Sequence, residues 1–298
     1  FSSLLSAQTT YWVDGTNGND SNNGTSESTA FKTVHKVIEG GYFSPNWVDT
    51  VKVKAGTYDF KDDEIYTSSS RNFVLIGVEG ASKTIFDAGG SGRHMTIDDA
   101  LSGSTIQGIT FQNGKAENWP GAGSIYISYG AKVDFVDCVW KNNSTTYSEG
   151  GGAIIIRDGS TPSFTNCVFD SNHAVYTNSS TYGGAVRIQW ANTKTQLETE
   201  IVFKRTKFLN NYVQSDHSAY GGAISSERAL KIENCLFVKN YVKSHVDGTS
   251  HSGLGGAVYF DAIRWNGSSY EGGNMYIANS TFHGNYVQSM SEQWSWLY

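Results

Sequence analysis

The sequence has little of what usually betrays a partner. It has no Lys/Arg run, and its 298 residues carry a formal charge of −6. Both features argue against nucleic acid or an anionic membrane as partner. No stretch reaches the ~18 apolar residues that a membrane-spanning helix needs. Cysteines number three, and an odd count speaks against a disulfide framework, although an exported chain would usually pair its cysteines. Neither Cys-x-x-Cys nor a paired histidine spacing occurs, so no structural metal site is indicated. Prolines also number three, and no linker or composition break divides the chain.

What the chain has in quantity is glycine, 33 residues, together with Asn, Ser and Thr, as a turn-dense β protein requires. Two short phrases keep returning. The first is Gly151-Gly152-Ala153-Ile154, Gly183-Gly184-Ala185-Val186, Gly221-Gly222-Ala223-Ile224 and Gly255-Gly256-Ala257-Val258. The second pairs an aromatic with an asparagine three residues on: Trp140/Asn143, Phe169/Asn172, Phe208/Asn211, Phe237/Asn240 and Phe282/Asn285. A weaker copy holds Phe111, with Ser124 in the alanine slot. The phrases alternate, and the aromatics are spaced 29, 39, 29 and 45 residues apart. A period near 29 with insertions marks a solenoid, so one continuous domain overrides the two that length alone suggests.

The residues after each Gly-Gly-Ala alternate inward and outward, Ile154 and Ile156 against Ile155 and Arg157, as in a strand. No helical stripe fits between the phrases. Strands repeating once per coil stack as an all-β, right-handed parallel β-helix. Phe169, Phe208 and Phe237 then form an internal ladder with rungs roughly 4.8 Å apart, and the asparagines form a second ladder at the turn. Cys138, Cys167 and Cys235 each precede the aromatic by two residues. Ile109, Thr206 and Ser280 hold that slot elsewhere, so the column reads as buried small side chains with inert thiols.

These phrases resemble the repeat of the chlamydial polymorphic outer-membrane proteins, surface adhesins and autotransporters with β-helical passenger domains. The likeness covers residues 108–288, with Trp140 for Phe and the degenerate first copy as departures. No stretch resembles that family's transporter barrel, so its secretion route is not implied. Residues 11–58 hold Tyr11-Trp12-Val13-Asp14-Gly15, Ala30-Phe31-Lys32-Thr33 and Val51-Lys52-Val53-Lys54-Ala55-Gly56-Thr57-Tyr58. Their order is similar to the opening of pectate-lyase-like β-helix proteins, in which a first strand and a capping helix precede the first coil. Here Ser28 or Thr29 would cap a helix whose Phe31, Val34 and Ile38 share one face. Residues 59–110 hold less regular coils, with strands expected at Phe73–Gly77, Thr84–Ala88 and His94–Ile97.

Residues 1–8 read as the end of a secretory signal peptide, so the chain is expected to be exported. At the other end, Tyr286-Val287-Gln288-Ser289 repeats Tyr212-Val213-Gln214-Ser215, but only Trp294, Trp296, Leu297 and Tyr298 follow. A natural chain continuing past residue 298 is therefore expected; the rival reading is that these aromatics fold back as a lid.

On a β-helix, ligands lie across outward rows of successive strands. The row four residues past each alanine holds Ser128, Arg157, Gln189, Glu227 and Asp261. Neighbouring rows supply Arg187 and Tyr259, and Trp190 and Arg228. This mixture of planar donors, carboxylates and rings suits a polysaccharide or a cell-surface glycan or protein, and it equally suits a solvated strand face. Glu227 and Asp261, one coil apart, could with Arg187 support acid–base chemistry. The alternative function is accordingly a polysaccharide lyase or glycoside hydrolase. The calcium-binding Asp cluster of pectate lyases and the catalytic phrases of polygalacturonases find no match, so adhesion or glycan binding without catalysis is the leading expectation. In the loop 14–24, Asp14, Asn19 and Asp20 could hold calcium, although turn formation explains them as well. The segments after each asparagine, with His217, His245 and His251, are expected to project from one edge and meet partners.

Overall fold

The doubled glycine has two separate causes. The first of each pair takes a positive φ, +71° at Gly151, +56° at Gly183, +70° at Gly221 and +69° at Gly255, where a side chain would be strained. The second has no room: a Cβ on Gly152 would lie 2.1 Å from the carbonyl oxygen of Gly184, and Gly184 and Gly222 meet the next coil at the same distance. The alanine that follows points into the core, as the fully buried Ala153, Ala185 and Ala223 show. One phrase therefore makes a corner at which successive coils touch backbone to backbone.

The computed structural model describes residues 8–43, 48–67, 72–98, 102–190, 192–245 and 251–289. Their strands form a right-handed parallel β-helix with sheets of nine, eight, seven and six strands along its sides. Register follows the repeat. Ile154 pairs with Val186, Val186 with Ile224 and Ile224 with Val258. Phe169 pairs with Phe208, Phe208 with Phe237 and Phe237 with Phe282. The longer spacings are absorbed outside these strands, so the repeats stay in register; on the earlier coils the pairing shifts by one residue at Gly103, between Lys132 opposite Ser102 and Val133 opposite Ser104. The less regular coils hold strands Phe73–Gly77, Thr84–Asp87 and Met95–Ile97.

The expected ladders are present. Trp140, Phe169, Phe208, Phe237 and Phe282 stack with centroids 4.6, 4.9, 4.7 and 4.5 Å apart and planes within 7°. Burying each of the fully enclosed Phe169, Phe208 and Phe237 contributes about 1.5–3 kcal/mol, while Phe282 at the end of the stack stays exposed. Phe135, Phe164 and Phe203 form a further internal ladder at 5.2 and 4.8 Å that the repeat phrases do not announce. In the asparagine ladder, Asn143 Nδ2 donates to Asn172 Oδ1 at 2.9 Å and the bond recurs through Asn211, Asn240 and Asn285. Each Nδ2 also reaches a carbonyl on the preceding coil, as Asn172 does at Trp140, so these buried amides are satisfied.

Four expectations need correction. The helix near the start is Val34–Ile38, and its N-cap is Thr33, whose hydroxyl accepts from the Lys36 amide. Ser28 and Thr29 fall in a separate 3₁₀ turn, Glu27–Thr29. Phe31 is buried beside the helix rather than on it, in a bridge to Val13. A second helix, Lys194–Glu198, occupies part of the 39-residue spacing and buries Leu197. The segments after each asparagine begin as strands, His173–Tyr176, Tyr212–Ser215 and Tyr241–Ser244, in the six-stranded sheet. Residues Phe1–Ala7 and the closing Trp294, Trp296, Leu297 and Tyr298 lie outside the described residues.

Candidate functional site

The outward row exists, but part of it is roofed. Backbone bonds from Gln189 to Ile156, from Glu227 to Ile188 and from Asp261 to Ser226 put Arg157, Gln189, Glu227 and Asp261 on successive coils at one corner. A short sheet of Thr181–Tyr182, Ala219–Tyr220 and Gly253–Leu254 adds a further layer of chain. Arg187 is buried under it: its guanidinium lies 4.0 Å from the Tyr182 ring centroid. It donates to Glu227 Oε1 at 2.5 Å and to Ser225 Oγ at 3.0 Å. Gln189 is buried too and donates to Glu149.

Arg228 departs furthest from the solvent-facing position expected of it. It is fully buried, with Nε on the Gln196 carbonyl at 2.9 Å and Nη1 on the Ser160 carbonyl at 2.7 Å. Burial lowers its pKa to about 10. Its work is to pin the helix Lys194–Glu198 to the coils, which places that helix as a wall. Arg157 lies apart, 5.9 Å from the Trp119 ring centroid.

Between the helix and a β-hairpin, Ile263–Trp265 with Tyr270–Gly272, runs a groove of about 410 Å³. Trp190, Asn192, Leu197, Glu227, Ile263, Arg264 and Trp265 line it. Trp190 is 57% exposed and Trp265 56%, and Tyr270 supports Trp265 at 5.0 Å between centroids. Arg264 is held by Glu271 at 3.1 Å. The sequence reading included Trp190 and Glu227 but missed Trp265 and its hairpin. The available signal was Asn266-Gly267 between Ile263–Trp265 and Tyr270 inside the longest spacing.

Glu227 and Asp261 each have a partner of their own. Glu227 is in the ion pair with Arg187, and Asp261 Oδ2 accepts the Tyr259 hydroxyl at 3.2 Å. Burial and the Asp261 charge push that phenol up to about 12. Tyr259 itself packs against Tyr220 at 4.7 Å. The arrangement offers ring faces and hydrogen-bonding groups rather than a free carboxylate pair.

The early loop uses its oxygens internally. Asp14 Oδ1 accepts from the Thr16 and Asn17 amides at 3.0 and 2.9 Å, and Oδ2 faces Lys54 Nζ at 3.0 Å. Burial pushes its carboxyl up, but the amides and Lys54 outweigh it and hold the pKa at about 2. Asp20 Oδ1 accepts the Lys32 and Thr33 amides at 2.8 and 2.9 Å, and Asn19 Oδ1 accepts the Ser21 amide at 2.9 Å. Among the described residues no three His, Cys, Asp or Glu side chains gather as a metal site. Of the histidines expected at an edge, His217 and His251 meet, ring nitrogen to ring nitrogen at 2.8 Å, and His245 is exposed.

No curated protein matches the sequence. Among solved structures, a rhamnogalacturonan lyase is 12% identical, covering 94% of this chain and 86% of its own, with a TM-score of 0.44. A pectin methylesterase from carrot is 11% identical over 93% and 87%, with a TM-score of 0.43. Likenesses this loose carry nothing about ligand or reaction. The family described as the right handed beta helix region matches residues 82–259, more than half of the chain, and the protein belongs to that family.

Proposed function

We propose that this chain is an exported, extracellular or cell-surface β-helix module that binds a glycan without catalysis. The groove between Trp190 and Trp265 would be its binding site. The observation that carries the reading is the pair of half-exposed indoles lining one groove. Aromatic faces that stay wet while presenting an apolar surface suit the C–H face of a sugar ring. Asn192 and the Glu227 carboxylate supply polar partners for hydroxyls. The repeat likeness to surface adhesins supports the exported setting, and the engagement of Glu227 with Arg187 supports binding over turnover.

Titration calorimetry against a polysaccharide panel tests the proposal. Trp190→Ala and Trp265→Ala should each weaken the best ligand about tenfold or more, as loss of a buried aromatic anchor does at other interfaces. No unsaturated or hydrolysed product should accumulate. A double variant that binds every glycan as well as the parent would end the proposal, and steady product release would favour the enzymatic alternative.

A further inference from the structure

The charge pattern of the same groove narrows its ligand. Resting on the glycan-binding reading, we infer that the groove takes an uncharged polysaccharide and rejects polyuronates. Two of the residues lining it are ionised, Glu227 and Arg264, and both are already neutralised. Arg187, buried beneath Tyr182, holds Glu227 at 2.5 Å. Glu271 holds Arg264 at 3.1 Å and is itself steadied by Asn266 Nδ2 at 2.9 Å. On the helix wall, Lys194 faces Glu198 at 3.6 Å. These cations are matched one to one by carboxylates, and Asp261 at the corner adds a further negative charge.

A uronate carboxylate entering here meets one guanidinium among the lining residues, that of Arg264, whose charge Glu271 already offsets. Sharing Arg264 would set the uronate charge beside Glu271, a like-charge contact that counters the attraction to the guanidinium. The −6 of the whole chain adds long-range repulsion that salt screens. Hydroxyls meet no such obstacle, because they can share acceptors and donors with groups that are already paired.

The experiment compares neutral glucans and mannans with polygalacturonate, alginate and the amine-bearing chitosan, at 20 mM and 1 M salt. A neutral chain should bind with an affinity that changes less than about threefold between the two salts, whereas the polyuronates should not bind. Glu271→Gln keeps the acceptor for Asn266 but frees Arg264. It should admit polygalacturonate with at least a tenfold gain at low salt, and the gain should vanish at 1 M. Binding of polyuronate or chitosan to the parent more tightly than any neutral chain, with dependence on Trp190 and Trp265, would overturn the inference and leave glycan binding intact. A Glu271→Gln variant that still excludes polyuronate would also overturn it. Failure of every glycan to bind would instead remove the functional reading beneath.

Discussion

At the scale of single residues, the interior column of Cys138, Cys167, Thr206 and Cys235 does more than fill space. Each side chain donates to two carbonyls, one on the preceding coil and one two residues back. Cys167 Sγ reaches Phe135 at 3.5 Å and Thr165 at 3.4 Å, and Thr206 Oγ1 reaches Phe164 and Lys204 at 3.2 Å. That shared geometry explains why thiol and hydroxyl interchange in one column. Burial pushes the Cys138 thiol up to about 12, and it raises Cys167 and Cys235 as well. A thiol that is neither exposed nor ionised does not react. Iodoacetamide at pH 8 should therefore label none of the three in the folded protein and all three in denaturant. Mass spectrometry decides: one carbamidomethyl group on the native chain would contradict this account.

At the scale of elements, the aromatic ladder carries the stability argument. Phe208 is fully buried between Phe169 at 4.9 Å and Phe237 at 4.7 Å. Phe208→Ala should cost about 3–5 kcal/mol through lost burial and a cavity that two flanking rings cannot close. Urea denaturation measures the loss, and one below 1 kcal/mol would mean that the coils repack. The ladder was legible because period-2 alternation and a fixed repeat define which side chains face inward, and the structure keeps Phe169, Phe208 and Phe237 in that register. The groove was much less legible. Whether an outward residue meets solvent depends on insertions that the repeat does not encode. Arg187 and Arg228 occupy outward positions and are nevertheless buried, one under Tyr182 and the other against the helix Lys194–Glu198. Trp265 belongs to a hairpin that, among the described residues, occurs in one coil, so no periodic comparison could point to it.

At the scale of the whole molecule, two buried groups divide the acid response into separate windows. His94 stands in the column that Ser124, Ala153 and Ala185 occupy on later coils. Its Nε2 lies 3.0 and 3.1 Å from the carbonyls of Phe86 and Gln112, and its Nδ1 3.0 Å from Ser124 Oγ. Two acceptors at Nε2 put the single proton there, leaving Nδ1 to accept from the serine. Burial lowers this imidazole from 6.5 to about 4. Between those values the unfolded chain binds a proton that the folded chain refuses, so stability falls as pH drops from about 6.5 to about 4, by on the order of 3 kcal/mol. Asp14 acts lower: held at about 2 against an ordinary 3.8, it stabilises fully above pH 4 and loses that contribution as pH falls towards 2. His173, also lowered by burial, adds to the upper window. His94→Gln should be less stable than the parent at pH 7.5 yet flatter between pH 6.5 and 4, with the lower fall unchanged. Urea midpoints taken every half unit give both slopes. Parallel curves for parent and variant across the upper window would show that His94 is not the group that titrates there.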